Sequence, residues 1–155
     1  MADYKSDYLN SVLESYRMKH IEELINTYRT KRDEIKQFLN EQYGSKIYEP
    51  FNSGSYKKHT AINTKFDLDL VVPFKHNAFS TLEKMFEDVL EKLTEKYKDE
   101  TTVKKQGVSI GLTFDEEDEI NIDVVPARET SQDSFPEHKD LNLHKTQNEG
   151  YLKTN

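Results

Sequence analysis

YEPFNSGSYKKHTAINTKFDLDLVVPF, residues 48–74, reads as a strand, a Gly-Ser turn, a short helix and a second strand that carries Asp67-Leu68-Asp69. Side chains alternate across a strand, so Asp67 and Asp69 share one face while Leu68 and Leu70 point into a core. Two carboxylates side by side call for a cation. Hard oxygen donors at this density suit Mg2+, which takes one or two carboxylates and leaves its other positions to water and substrate phosphates. A nucleoside triphosphate is the substrate that such a site implies. Upstream, the turn at Gly54-Ser55 offers backbone amides and the Ser55 hydroxyl at a helix N-terminus, where a triphosphate tail can sit. A lone D-x-D on a strand is commonly surface decoration, and a lone Gly-Ser turn says less still. The combination carries the argument.

Around this stretch the hydrophobic periodicity defines an α+β chain. Leu9, Val12, Leu13, Tyr16, Ile21, Leu24, Ile25, Tyr28, Ile35, Phe38 and Leu39 fall at three-four spacing and predict a helix from about Tyr8 to Tyr43, with Gly44 as its stop. A helix of that length runs roughly 50 Å, longer than a domain of this size is wide. It must span two lobes, pair with another chain, or break near the polar stretch Thr30-Lys31-Arg32-Asp33. A first strand is expected around Lys46 to Phe51, and Pro73 ends or edges the second. Ser80-Thr81-Leu82-Glu83 has the form of a capping box, and Phe79, Leu82, Met85, Phe86, Val89, Leu90, Leu93 and Tyr97 form the apolar stripe of a core-facing helix. Residues 108–114 and 120–125 alternate on either side of an acidic tip and predict an antiparallel hairpin. On its returning strand Ile120, Ile122 and Val124 share a face, which leaves Asn121 and Asp123 on the other. An Asp flanked by β-branched residues needs a partner, and a metal shared with Asp67 and Asp69 supplies one.

Gly-Ser, eleven residues to an apolar-flanked D-x-D, and a third acid on a later apolar strand resemble the polymerase-beta-like nucleotidyltransferases. Gly54-Ser55-Tyr56, Thr60-Ala61-Ile62 and Asp123-Val124-Val125-Pro126-Ala127 are similar to the bacterial cGAS/DncV-like enzymes of that superfamily, which make cyclic oligonucleotide second messengers in antiphage defence. The resemblance implies an α+β core with a mixed or antiparallel sheet, backed by a long N-terminal helix and a second helix. It divides the chain into a spine helix (1–45), a catalytic core (46–128) and a loop with the start of a helical lobe (129–155). It also implies that Asp67, Asp69 and Asp123 are the metal ligands and catalytic residues, with Mg2+ or Mn2+ as cofactor. Asp123 is then the ligand for the activating metal, where it also accepts the hydroxyl proton. Gly54, Ser55 and Lys58 bind the substrate phosphates. Members often carry Arg or Gly where this chain has Lys57-Lys58-His59. They continue past a segment like Gly150–Asn155 into the helical lobe, so the expectation for these residues alone is weak nucleotide binding, little cyclic product and an apolar helix face left bare for self-association.

The 155 residues fit one domain, and 22 basic against 29 acidic residues, net −7, argue against a general nucleic-acid coat. Substrate phosphates would be neutralised locally, by metal and by Lys57, Lys58 and Lys65. There is no cysteine, hence no disulfide framework or thiolate chemistry; no signal peptide or membrane span is legible, and the chain reads as cytoplasmic. The five histidines show no zinc spacing, and neither a P-loop nor a Rossmann fingerprint is present. Three readings compete: a nucleotidyltransferase making a cyclic or linear oligonucleotide or nucleotidylating another acceptor, an inactive nucleotide-binding regulator, and a helix-mediated interaction module. If Ser55 holds the β- and γ-phosphates, Ser55→Ala weakens NTP binding more than NMP binding in calorimetry. Equal weakening of both, with about 1 kcal/mol of lost thermal stability, identifies a helix cap instead.

Overall fold

The structure, a computed structural model, describes residues 2–53, 67–99, 101–115, 119–144 and 151–154. The apolar spacing of the first segment builds helix α1 (Ala2–Tyr43), which buries Leu24, Tyr28, Ile35, Leu39 and Tyr43 along one face. It passes through residues 30–33 without a break. The threonines of this region stay inside the helix by back-bonding: the Thr27 hydroxyl donates to the Glu23 carbonyl at 2.9 Å and Thr30 to Asn26 at 3.0 Å. Gly44, at φ 53°, takes the left-handed conformation that terminates it. At 1.5 Å per residue α1 is about 63 Å long, against a radius of gyration of about 15 Å for a domain of this size. Its amino-terminal turns therefore leave Leu9, Val12, Leu13 and Tyr16 exposed.

The sheet is mixed. Its spatial order is β1 (Phe51–Ser53), β2 (Asp67–Phe74), β5 (Glu119–Glu129), β4 (Ile110–Asp115) and β3 (Thr101–Lys105), and the far end of β5 also pairs with β6 (Leu141–His144), which pairs with β7 (Tyr151–Thr154). β2 and β5 run parallel; the other pairs are antiparallel. The expected hairpin of residues 108–125 forms as β4 and β5, with Phe114 opposite Ile120. Two details differ from the expectation. The first strand begins at Phe51, because Pro50 has no N–H for a ladder; the chain before it lies along the end of β2 through Tyr48 N–H to the Pro73 carbonyl and Lys75 N–H to the Lys46 carbonyl, both 2.8 Å. Helix α2 (Leu82–Tyr97) is capped by Thr81 rather than Ser80, its hydroxyl accepting from Lys84 N–H at 3.1 Å.

Helices α1 and α2 cover one face of the sheet, where Leu70, Val72, Phe74, Leu112, Ile122 and Val124 join the main core. Tyr43 locks the two helices together. Its hydroxyl donates to Asp88 at 2.7 Å, Lys92 donates to the same oxygen at 2.6 Å, and its ring meets Phe74 edge-on. Burial and then the Asp88 bond push the Tyr43 hydroxyl far above the ordinary tyrosine range.

The opposite face has a smaller core of Val71, Ala127, Phe135, Leu141 and Leu143, roofed by the short helix α3 (Phe135–His138). Residues 130–136 read as a loop by composition; 130–134 are one, but Phe135 and Pro136 open α3, and β6 and β7 then extend the sheet, which the sequence pattern did not signal. Glu129, fully buried, fastens this side. Its carboxylate accepts from Tyr48 hydroxyl and His76 N–H at 2.9 Å and from Phe135 N–H at 3.1 Å. Burial pushes the Glu129 carboxyl up, but these donors and the Asp133 amide outweigh it and hold the group below its ordinary 4.5. The Tyr48 hydroxyl, partly desolvated and bonded to that carboxylate, is pushed up to about 12. A carboxyl lowered on folding contributes stability that is present above 4.5 and is lost as pH falls through its folded value. Glu129→Gln is expected to cost about 1–3 kcal/mol at pH 7 and to flatten the acid side of the stability profile, measured by urea unfolding against pH. An unchanged acid slope refutes this role.

Candidate active site

The parallel register of β2 and β5 sets Asp69 opposite Asp123 and Asp67 opposite Asn121. Directly opposed residues point to the same side of a sheet, and adjacent strands lie about 4.8 Å apart. Residues far apart in sequence thus become neighbours on the face that the long helices do not cover. The row continues across the other pairs: Ser53 stands opposite Asp69, Gly111 opposite Asp123, and Lys104 opposite Gly111. One turn of the pleat away lies a second row, Asp67, Asn121, Thr113 and Thr102. Here the Thr113 hydroxyl donates to Asn121 Oδ1 at 2.8 Å. The Asn121 backbone N–H donates to the hydroxyl of Tyr28 at 3.3 Å, so the acid-bearing strand is tied to α1 through its other side.

Two concavities flank the acid pair. A polar one of about 480 Å³ is lined by Asp69, Asp123, Lys104, Gln106, Thr113 and Asn121, among others. A larger, mostly apolar one of about 820 Å³ reaches from Ser53 and Asp69 to Phe51, Val71, Val125 and Phe135. At its edge Phe51 and Phe135 stack with centroids 6.2 Å apart. Their ring faces and the adjacent acids make a surface with one apolar and one anionic side.

Of the residues that the sequence singles out, Asp69 and Asp123 are brought together; Asp67 is placed by its backbone on the same strand face. Gly54, Ser55 and Lys58 lie outside the described residues, together with the short helix expected there. Among the described residues no group of three His, Asp or Glu side chains converges as a metal site. The described pair does fit the chemistry of Mg2+ or Mn2+: hard carboxylate oxygens on adjacent strands, open to further ligands from water and phosphate. The sequence reading passed over Ser53, Lys104, Gln106 and Gly111. A glycine inside an alternating strand was the legible signal for the last, since it marks a close approach.

The Second Messenger Oligonucleotide or Dinucleotide Synthetase (SMODS) domain matches residues 5–154, and the chain belongs to this family. No curated protein matches the sequence at a significant level. Several solved structures share the fold. The CdnE cyclic dinucleotide synthase of Elizabethkingia meningoseptica, with GTP and Apcpp, has a TM-score of 0.62 at 16% identity, over 86% of this chain and 54% of that one. The CD-NTase CdnG of Bradyrhizobium diazoefficiens, in complex with GTP, has 0.63 at 17% identity, over 81% and 37%. CdnC of E. coli MS115-1, with ATP, has 0.59 at 17% identity, over 88% and 42%. This chain therefore spans about half or less of their length. No helix among the described residues is long and apolar enough to cross a membrane.

Neighbouring like charges repel, so Asp69→Asn and Asp123→Asn should each raise thermal stability slightly, by less than about 1 kcal/mol, in divalent-free buffer. Mg2+ or Mn2+ should then stabilise the wild-type protein and neither variant. An equal divalent-induced shift in all three proteins removes the acid pair as a cation site.

Proposed function

We propose that this chain carries the catalytic half of a nucleotidyltransferase that joins nucleoside triphosphates into a cyclic or linear oligonucleotide second messenger, in bacterial antiphage signalling. The observation that carries the reading is the register of Asp69 with Asp123 on an open sheet face, in a chain of the SMODS family. The bound nucleotides of the similar structures, GTP, Apcpp and ATP, support nucleoside triphosphates as substrates.

In this reading a ribose hydroxyl attacks the α-phosphorus of a triphosphate, forming a phosphodiester and releasing pyrophosphate. Asp67, Asp69 and Asp123 would hold Mg2+ or Mn2+, which when bound would neutralise the phosphate charge and lower the pKa of the attacking hydroxyl. Asp69 and Asp67 orient the triphosphate, and Asp123, on the adjacent strand, holds the acceptor hydroxyl and takes its proton. Gly54, Ser55 and Lys58 secure the β- and γ-phosphates. The apolar pocket beside Asp69 is of a size to receive a nucleoside, with Phe51 and Phe135 offering ring faces to a base. No strong nucleophile is needed, because the work is positioning and charge neutralisation.

The test is incubation of the whole protein with each labelled NTP and Mg2+ or Mn2+, followed by analysis of phosphatase-resistant products. Asp69→Asn and Asp123→Asn should each lower turnover at least about 100-fold, the scale of losing several kcal/mol of metal-assisted stabilisation. Divalent-dependent NTP binding with no product from the wild-type protein overturns the transferase and leaves a nucleotide-binding regulator.

A further inference from the structure

The turn that joins β3 to β4 consists of residues 106–109, closed by the Gln106 N–H donating to the Ser109 carbonyl at 2.9 Å. The Gln106 side chain turns back over β4. Its Oε1 accepts from the Ser109 hydroxyl at 2.9 Å, and Ser109 is itself buried. The carboxamide ends over Gly111. A Cβ on Gly111 would lie 2.6 Å from Gln106 Nε2 and 3.1 Å from its Cδ, and 3.3 Å from Oδ1 of Asp123. The amide and the carboxylate therefore converge on the space that the missing side chain leaves. A side chain at position 111 would have to displace the end of Gln106 and crowd the carboxylate of Asp123.

The orientation of the amide follows from its surroundings. Ser109 presents a donor to Oε1, which leaves Nε2 as the end of the amide over Gly111, on the side where Asp123 stands. The reverse orientation would set the amide oxygen against a carboxylate, two acceptors with nothing to share. An Asp side chain turns about χ1 and χ2, and a ligand that must act together with a neighbouring strand needs both fixed. Groups that orient a ligating carboxylate from behind are worth about 10-fold or more in metal affinity or activity.

We propose that Gln106, held by Ser109 and admitted by Gly111, is a positioning residue that fixes the carboxylate of Asp123 toward Asp69; this rests on the reading of Asp123 as a metal ligand. Gln106 does not touch the reacting atoms. It sets the direction of the group that does, and the glycine is the steric condition for it.

The experiment uses the whole protein and four substitutions, Gln106→Met, Ser109→Ala, Ser109→Thr and Gly111→Ala, with Asp123→Asn as reference. Mn2+ affinity is measured by electron paramagnetic resonance without nucleotide, and kcat and KM for NTP separately. Gln106→Met keeps the length and packing of the side chain and removes its polar end. It should weaken Mn2+ binding and lower kcat by about 10-fold, with KM for NTP changed by less than about 2-fold. Gly111→Ala should act in the same direction, and Ser109→Ala should as well while Ser109→Thr, which keeps the hydroxyl, restores both. If Gln106→Met leaves Mn2+ affinity and kcat unchanged while Asp123→Asn loses both, the positioning role is wrong and the site stands. If Asp123→Asn itself binds Mn2+ as the wild type does, the site reading fails first.

Discussion

The pairing of β2 with β5 in parallel is the constraint on which the rest of this structure depends. Antiparallel neighbours can be joined by a tight turn, but parallel ones need a crossover long enough to return the chain to the same end of the sheet. Here that crossover contains α2 and the strand β3, with β4 delivering the chain back to β5. Closing a long loop costs little more entropy than closing a short one, and the apolar stripe of α2 offsets that cost by burying Met85, Phe86, Val89 and Leu93 against the sheet. With β2 and β5 adjacent in this register, Asp69 and Asp123 stand side by side.

Such a pair is unfavourable in isolation, and the two faces of the sheet explain how it is tolerated. The helix-covered face holds the main core, fully buried from Leu70 to Val124, and this fixes the register of every strand that reaches it. A one-residue slip would bring the acids into the core and the leucines out. The repulsion between the acids is small beside that penalty, so the stable face dictates what the open face must present. Tyr28 strengthens the arrangement from behind, accepting the Asn121 N–H from within the core.

The far end of β5 shows a second device. β4 is paired as far as Val124, and β6 takes over from Ala127, which leaves Pro126 in the gap between the two partners. Proline lacks the N–H that a continuous ladder requires, and it falls where neither β4 nor β6 is in register with β5. Glu129 then gathers Tyr48, His76 and Phe135 around one carboxylate, joining the chain before β1, the chain after β2 and helix α3. This is a structural use of a buried acid, set a few residues along the same strand from Asp123. The two carboxylates differ in their company: Glu129 is saturated with backbone donors, whereas Asp123 borders an open polar concavity.

Periodicity alone determined α1 and its stop at Gly44, α2, the β4–β5 hairpin and the strand alternation that puts Asp69 and Asp123 on faces away from Leu70 and Val124. These are local properties, set by spacing along the chain and by residue shape, and they were legible for that reason. The continuity of α1 through its polar middle was not, because residues 30–33 carry no apolar signal of their own and the helix is held there by the burial of Tyr28 and Ile35 on either side. β6 and β7 were also illegible: Leu141-Asn142-Leu143-His144 alternates too briefly to be distinguished from a loop until the edge of β5 is there to pair it. Tertiary structure decided the neighbours. Ser53, Gly111, Lys104 and the amide of Gln106 joined the acids because strand register is a relation between segments, and no single segment of the sequence contains it.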